Sequence, residues 1–204
     1  AFFSRESVSE TDVGRYKRSE VFTFVFVGRI VKDKGTNELV HAFQRLKGKH
    51  ENVRLLLVGP FEKELDPVLP DVEKSILEGA NIEFVGFQND VRPFMVAADV
   101  LVLPSYREGF PNVVMQGGAL GVPCITTDIS GCNEIVVDNE NGLIIPPKDE
   151  ASLYEVMRYA VEHPDEMKWM GKNARSLVEE RYEQRVVWEA LLGEYQRLLE
   201  KEVE

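Results

Sequence analysis

Phe22-Thr23-Phe24-Val25-Phe26-Val27-Gly28 and Val53-Arg54-Leu55-Leu56-Leu57-Val58-Gly59 decide how the chain is read. Each is a run dominated by β-branched, aromatic or leucine side chains that stops at a glycine, the pattern of a strand buried on both faces of a parallel sheet. Between them Leu39, Val40, Phe43 and Leu46 recur at i, i+1, i+4 and i+7, predicting an amphipathic helix introduced by Gly35 and Thr36. Strand, helix, strand is a βαβ unit, and the alternation continues: helix Pro70–Leu77, strand Ile82–Val85, helix Val91–Ala98, strand Val100–Leu103. Helix Asn112–Leu120, strand Cys124–Thr127, a turn or short helix at Asn133–Val137 and strand Leu143–Ile145 complete it. Six strands alternating with helices predict an α/β fold: a doubly wound, Rossmann-like parallel six-stranded sheet with helices on both faces and strand order 3-2-1-4-5-6. Ligands of such sheets bind beyond the carboxyl ends of the strands.

The rest of the chain sets bounds on that reading. At 204 residues and 44% hydrophobic it has enough apolar material for a substantial core. Its 24 basic and 35 acidic residues give a formal net charge of −11, which argues against nucleic acid or an anionic bilayer as a partner held by general charge attraction. Cys124 and Cys132 are too few for a disulfide framework and lack the paired spacing of a zinc site, so both read as reduced thiols of a cytosolic chain. No apolar run reaches the ~20 residues of a transmembrane helix, and no signal-peptide layout is present. Residues 1–20 are polar, without helical or strand periodicity, and read as part of an interdomain linker. Residues 21–182 form the domain, with Asp149 offering a cap to a helix through Leu153, Val156, Met157, Ala160 and Val161. Residues 183–204 form a last helix whose Val187, Trp188, Leu191, Leu192, Tyr195 and Leu198 make a broad apolar face in need of cover.

Two strand-to-helix loops concentrate chemistry. After the first strand, Gly28 is followed by Arg29, Lys32 and Lys34 ahead of a helix N-terminus, a candidate anion site in an acidic protein or else a solvated basic loop. The order of residues there fits neither a dinucleotide fingerprint nor a P-loop. After the fourth strand, Ser105-Tyr106-Arg107-Glu108-Gly109-Phe110-Pro111-Asn112 combines a glycine for a sharp turn, a proline suited to a first helical position and a carboxylate at the positive end of a helix. Glu108 is a poor neighbour for a bare anion and suits a ligand with hydroxyls beside its phosphates, unless it merely caps or pairs with Arg107. In the 3-2-1-4-5-6 order these loops are adjacent, and together they describe a nucleotide-sugar pocket. His41, His50 and His163 share no metal-ligand spacing.

From about Val21 to Lys148 the chain resembles the donor-binding half of retaining GT-B glycosyltransferases of family 4, which build bacterial surface polysaccharides. The resemblance rests on Gly28-Arg29 with Lys34-Gly35, Val58-Gly59, Phe84-Val85-Gly86, Leu103-Pro104-Ser105, Glu108-Gly109-Phe110-Pro111-Asn112, Gly121-Val122-Pro123, and Gly131 with Glu134-Ile135. It implies that Arg29 and Lys34 neutralise the donor diphosphate in place of a metal, so no cofactor is needed, and the chain has no D-x-D. It further implies that Glu108 accepts hydroxyls of the donor sugar and that amides around Gly109, Phe110, Pro111 and Asn112 approach sugar and phosphates. The base would lie near Val85 and Phe87, and the loop from Ser130 to Glu134 near the donor, though Glu134 can equally cap the segment it begins.

Two departures qualify the resemblance. The family has a second glutamate, a ribose ligand, eight positions after the first, where this chain has Gln116. The acceptor-binding N-terminal half is not represented in these residues, so the chain reads as an excised donor domain, inactive alone, whose last helix packs on that missing half. The saccharide or lipid-linked acceptor would bind there, and the whole protein would be cytoplasmic, or peripheral at the inner face of the membrane. A regulatory nucleotide-binding module and one half of a GT-B-like sugar-nucleotide epimerase remain as alternatives.

Overall fold

The computed structural model describes residues 3–64, 66–79 and 81–201, the last two without their side chains. The sheet consists of β1 (Phe22–Val27), β2 (Val53–Val58), β3 (Ile82–Gly86), β4 (Val100–Leu103), β5 (Cys124–Thr127) and β6 (Gly142–Ile145). All are parallel, in the order β3-β2-β1-β4-β5-β6. β1 lies at the centre, with Val25 opposite Leu56 on one side and Leu101 on the other. Phe24, Val25, Phe26, Leu55, Leu56 and Leu57 are fully buried, as strands covered on both faces must be.

The helices are α1 (Glu10–Tyr16), α2 (Thr36–Lys47), α3 (Pro70–Glu78), α4 (Arg92–Ala97), α5 (Asn112–Ala119), α6 (Cys132–Ile135), α7 (Glu150–Glu162), α8 (Pro164–Tyr182) and α9 (Gln184–Lys201). With the right-handed crossover that parallel strands adopt, this strand order puts α2 and α3 on one face and α4 and α5 on the other. α7 returns to pack against α2, and α8 against α5, so both faces are covered. Leu39, Val40, Phe43 and Leu46 of α2 are buried, as their spacing predicts. Asp149 caps α7 by accepting from the Ser152 amide at 2.9 Å.

The N-terminal stretch differs from its reading as featureless linker. Ser9 caps α1, a helix that packs against α4 through Tyr16 and Phe94, whose ring centroids lie 4.2 Å apart. Val8 is buried beside it. With only Val13 and Tyr16 as large apolar residues and a glycine at position 14, α1 carries little periodicity of its own, and contact with α4 supplies what propensity lacks. Residues 1, 2 and 202–204 of the predicted linker and tail lie outside the described residues. α9 leaves the body of the domain with Trp188, Leu192, Tyr195 and Leu199 each more than half exposed. No helix among the described residues is long and apolar enough to cross a membrane.

Candidate functional site

The loops that follow β1, β2 and β3 are laced together by main-chain bonds. Gly28 N–H donates to Val58 O, Ile30 N–H to Pro60 O, and Gly59 N–H to Gly86 O, each within 2.9 Å. This rim carries Arg29, Lys34, Val85 and Phe87. Lys34 ends a short 3-10 turn (Lys32–Lys34) just before α2. The loop from Ser105 to Pro111 drops from β4 onto the same turn: Tyr106 N–H donates to Asp33 O at 2.8 Å, and the Ser105 hydroxyl to the same oxygen at 3.2 Å.

These anchors bring Lys34 and Glu108 together. Nζ of Lys34 donates to Oε1 of Glu108 at 2.6 Å, with the two side chains 18% and 13% exposed. Arg29 does not join them as its motif suggests; its Nη1 binds Oε2 of Glu62 at 2.7 Å, in the loop after β2, and both side chains are considerably more open. Arg107 pairs with Asp33 at 3.2 Å and leaves Glu108 to Lys34. Glu62 is a site residue that sequence reading missed, because an ion pair between two separate loops leaves no periodic trace.

Glycine geometry also departs from expectation. Gly109 has no positive φ, and a Cβ there would meet no protein atom within 4 Å. The constraint falls on Gly131, at φ +83°, where a Cβ would come within 2.2 Å of Gly109 O. Glu134 accepts from the Gly131 amide at 3.2 Å, so its carboxylate braces this approach. Pro111 is the N-cap of α5 and not its first helical residue, since its carbonyl already accepts from the Val114 amide at 3.0 Å. Asn112 opens the helix, so amides of its first turn face this loop. The Phe110 ring stands edge-on to Tyr182, with centroids 5.4 Å apart, and the Tyr182 hydroxyl donates to Glu134 O. Phe87 is 68% exposed just beyond β3.

Gln116 sits one turn into α5, half-buried. It lines a cavity of about 810 Å³ between the segment at residues 3–6, α5 and the end of α8, with Phe3, Arg175 and Tyr182; neither Lys34 nor Glu108 lines that cavity. Cys124 and Cys132 are both buried and unbridged. Burial pushes the Cys132 thiol upward, a neighbouring Glu108 adds to the shift, and Lys34 opposes it. Among the described residues no three His, Cys, Asp or Glu side chains are grouped to hold a metal ion.

A Rossmann-like α/β domain, with Lys34 and Glu108 paired beyond the ends of its central strands, is the class that fold and geometry define. The chain belongs to the glycosyl transferases group 1 family, whose model matches residues 10–177. It is 32% identical over 184 residues to the Staphylococcus aureus capsular polysaccharide biosynthesis glycosyltransferase CapM, covering 88% of this chain and 47% of that protein. It is 34% identical over 155 residues to the putative teichuronic acid biosynthesis glycosyltransferase TuaC of Bacillus subtilis, covering 76% and 36%. The chain thus spans about half or less of the length of these relatives. Among solved structures, Anabaena Alr3699/HepE in complex with UDP shares the fold, with a TM-score of 0.80 at 19% identity over 94% of this chain and 54% of that one.

Proposed function

We propose that this chain is the donor-binding half of a retaining glycosyltransferase that moves a sugar from a nucleotide-diphosphate donor to a saccharide or lipid-linked acceptor, in bacterial surface polysaccharide synthesis. The observation that carries the proposal is the Lys34–Glu108 pair at 2.6 Å, beside the N-terminus of α5 and beyond the ends of β1 and β4. That place is where a doubly wound sheet receives its ligand. A cation beside a helix N-terminus suits a diphosphate, and a carboxylate suits sugar hydroxyls.

In this reading Lys34 and Arg29 take up charge on the leaving diphosphate, the part a metal plays elsewhere, and no cofactor is required. The bond between the anomeric carbon and the phosphate oxygen breaks, leaving oxocarbenium character on the sugar. The acceptor oxygen then bonds to that carbon from the face just vacated, and its proton passes to the departing phosphate, so the configuration is retained without a separate base in this half. Glu108 holds the sugar through its hydroxyls. The main chain at Gly109, Phe110, Pro111 and Asn112 faces sugar and phosphates, and the open space at Gly109 supports such an approach. Val85 and Phe87 border the base, and Gln116 reaches the ribose.

The acceptor binds on a preceding half, which α9 also contacts, so this chain alone binds donor without transferring it. The reaction runs on the cytoplasmic side, where the donor is available and the two buried thiols stay reduced. Calorimetric titration of this chain with UDP, GDP and ADP, and then with their sugars, tests the donor site; absence of binding by all of them refutes it. Glu108→Ala in the whole protein separates an enzyme, which loses transfer, from a regulatory module, which has none to lose.

A further inference from the structure

The cation proposed to meet the diphosphate is already engaged. Lys34 lies on Glu108 at 2.6 Å in a largely enclosed position, whereas Arg29 is held by Glu62 in a more open one. Exposed pairs open at little cost, but separating two mostly enclosed charges leaves one of them poorly compensated. A diphosphate that draws Lys34 toward itself therefore strips Glu108 of its partner and sets a second anion beside it. A donor that still carries its sugar returns hydroxyl hydrogens to that carboxylate as charge-assisted bonds. The spent nucleoside diphosphate returns nothing.

We infer that Glu108 is a specificity-determining residue that tells the intact donor from the bare diphosphate by competing with it for Lys34. This rests on the donor reading above and adds to it a role in product release. Once the sugar departs, Glu108 loses its hydroxyl donors and recaptures Lys34, which loosens the remaining diphosphate. The same carboxylate thus favours the substrate and disfavours the product in one pocket.

Calorimetry on this chain tests the inference with two probes, UDP and inorganic pyrophosphate, the second carrying the diphosphate without any base. Glu108→Gln removes the competing charge at nearly constant shape, and Glu108→Ala serves as a second variant, each verified by its thermal melt. The expected result is that both probes bind the variants more tightly than the original chain, on the order of three- to tenfold, while UDP-glucose gains no advantage over UDP in either variant. Unchanged or weaker binding of the bare diphosphates overturns the inference and leaves the donor reading standing. If the original chain binds neither probe, nor GDP nor ADP, the donor reading fails and takes the inference with it.

Discussion

The Tyr106 hydroxyl donates a 2.6 Å hydrogen bond to Oε1 of Glu38, tying the loop that bears Glu108 to the first turn of α2. Burial and this carboxylate together push the phenol well above its ordinary value, so the tyrosine stays a donor throughout the accessible pH range. The second carboxylate oxygen, Oε2, is buried and has no hydrogen-bond partner among the described residues. Lys148 lies over the Tyr106 ring, its Nζ 4.9 Å from the centroid.

Tyr106→Phe would remove the tyrosine donor from Oε1 of Glu38, whose buried Oε2 already lacks a partner among the described residues. The expected loss is about 1–3 kcal/mol of stability, read by urea unfolding, and it should exceed the loss in Glu38→Gln, which keeps an acceptor for the hydroxyl. Equal stability of Tyr106→Phe and the original chain would show that the bond contributes nothing.

Gly131→Ala and Gly109→Ala should behave oppositely. The first forces a Cβ to within 2.2 Å of Gly109 O at a φ of +83°, and a loss of about 1–3 kcal/mol is expected from strain alone. The second meets open space and should melt like the original chain while weakening donor binding. Thermal melts paired with UDP-sugar titrations distinguish the two effects.

Gln116→Glu restores a charged acceptor to α5. If the side chain reaches the ribose, UDP should bind the variant about fivefold more tightly, equivalent to about 1 kcal/mol, and Gln116→Ala should bind it more weakly. Identical affinities in all three proteins would remove Gln116 from the site.

Asp90 accepts hydrogen bonds from the Arg92 amide and guanidinium, which hold its carboxyl below the ordinary value of 3.8. A carboxyl lowered on folding stabilises the native state above its unfolded value, and that contribution fades as pH falls through the lowered one. Unfolding curves through the carboxylate range, from about pH 5 to about pH 2, should therefore show a shallower acid decline in Asp90→Asn. A side-chain carboxyl titration by NMR gives the value directly.

Much of this architecture is visible in the residues themselves, for stated reasons. Phe22–Val27 and Val53–Val58 announce themselves because strands covered on both faces cannot alternate, and Pro70 and Asp149 mark helix starts by local chemistry. What stays hidden is decided across distance. α1 depends on α4, Arg29 is claimed by Glu62 from another loop, and of Gly109 and Gly131 it is the second that must remain glycine. Lys34 and Glu108 lie 74 positions apart; their meeting could be anticipated because strand order makes β1 and β4 neighbours.

The apolar interior of the sheet stops below the rim on which Arg29, Phe87 and Glu108 stand. If the proposed donor site is right, the exposed Phe87 beyond β3 can influence the ligand while the buried strands hold the fold. On that proposal, exchanging the exposed stretch after β3 should retune which nucleotide is accepted without jeopardising the scaffold, and the domain would then serve as a practical chassis for altered donors.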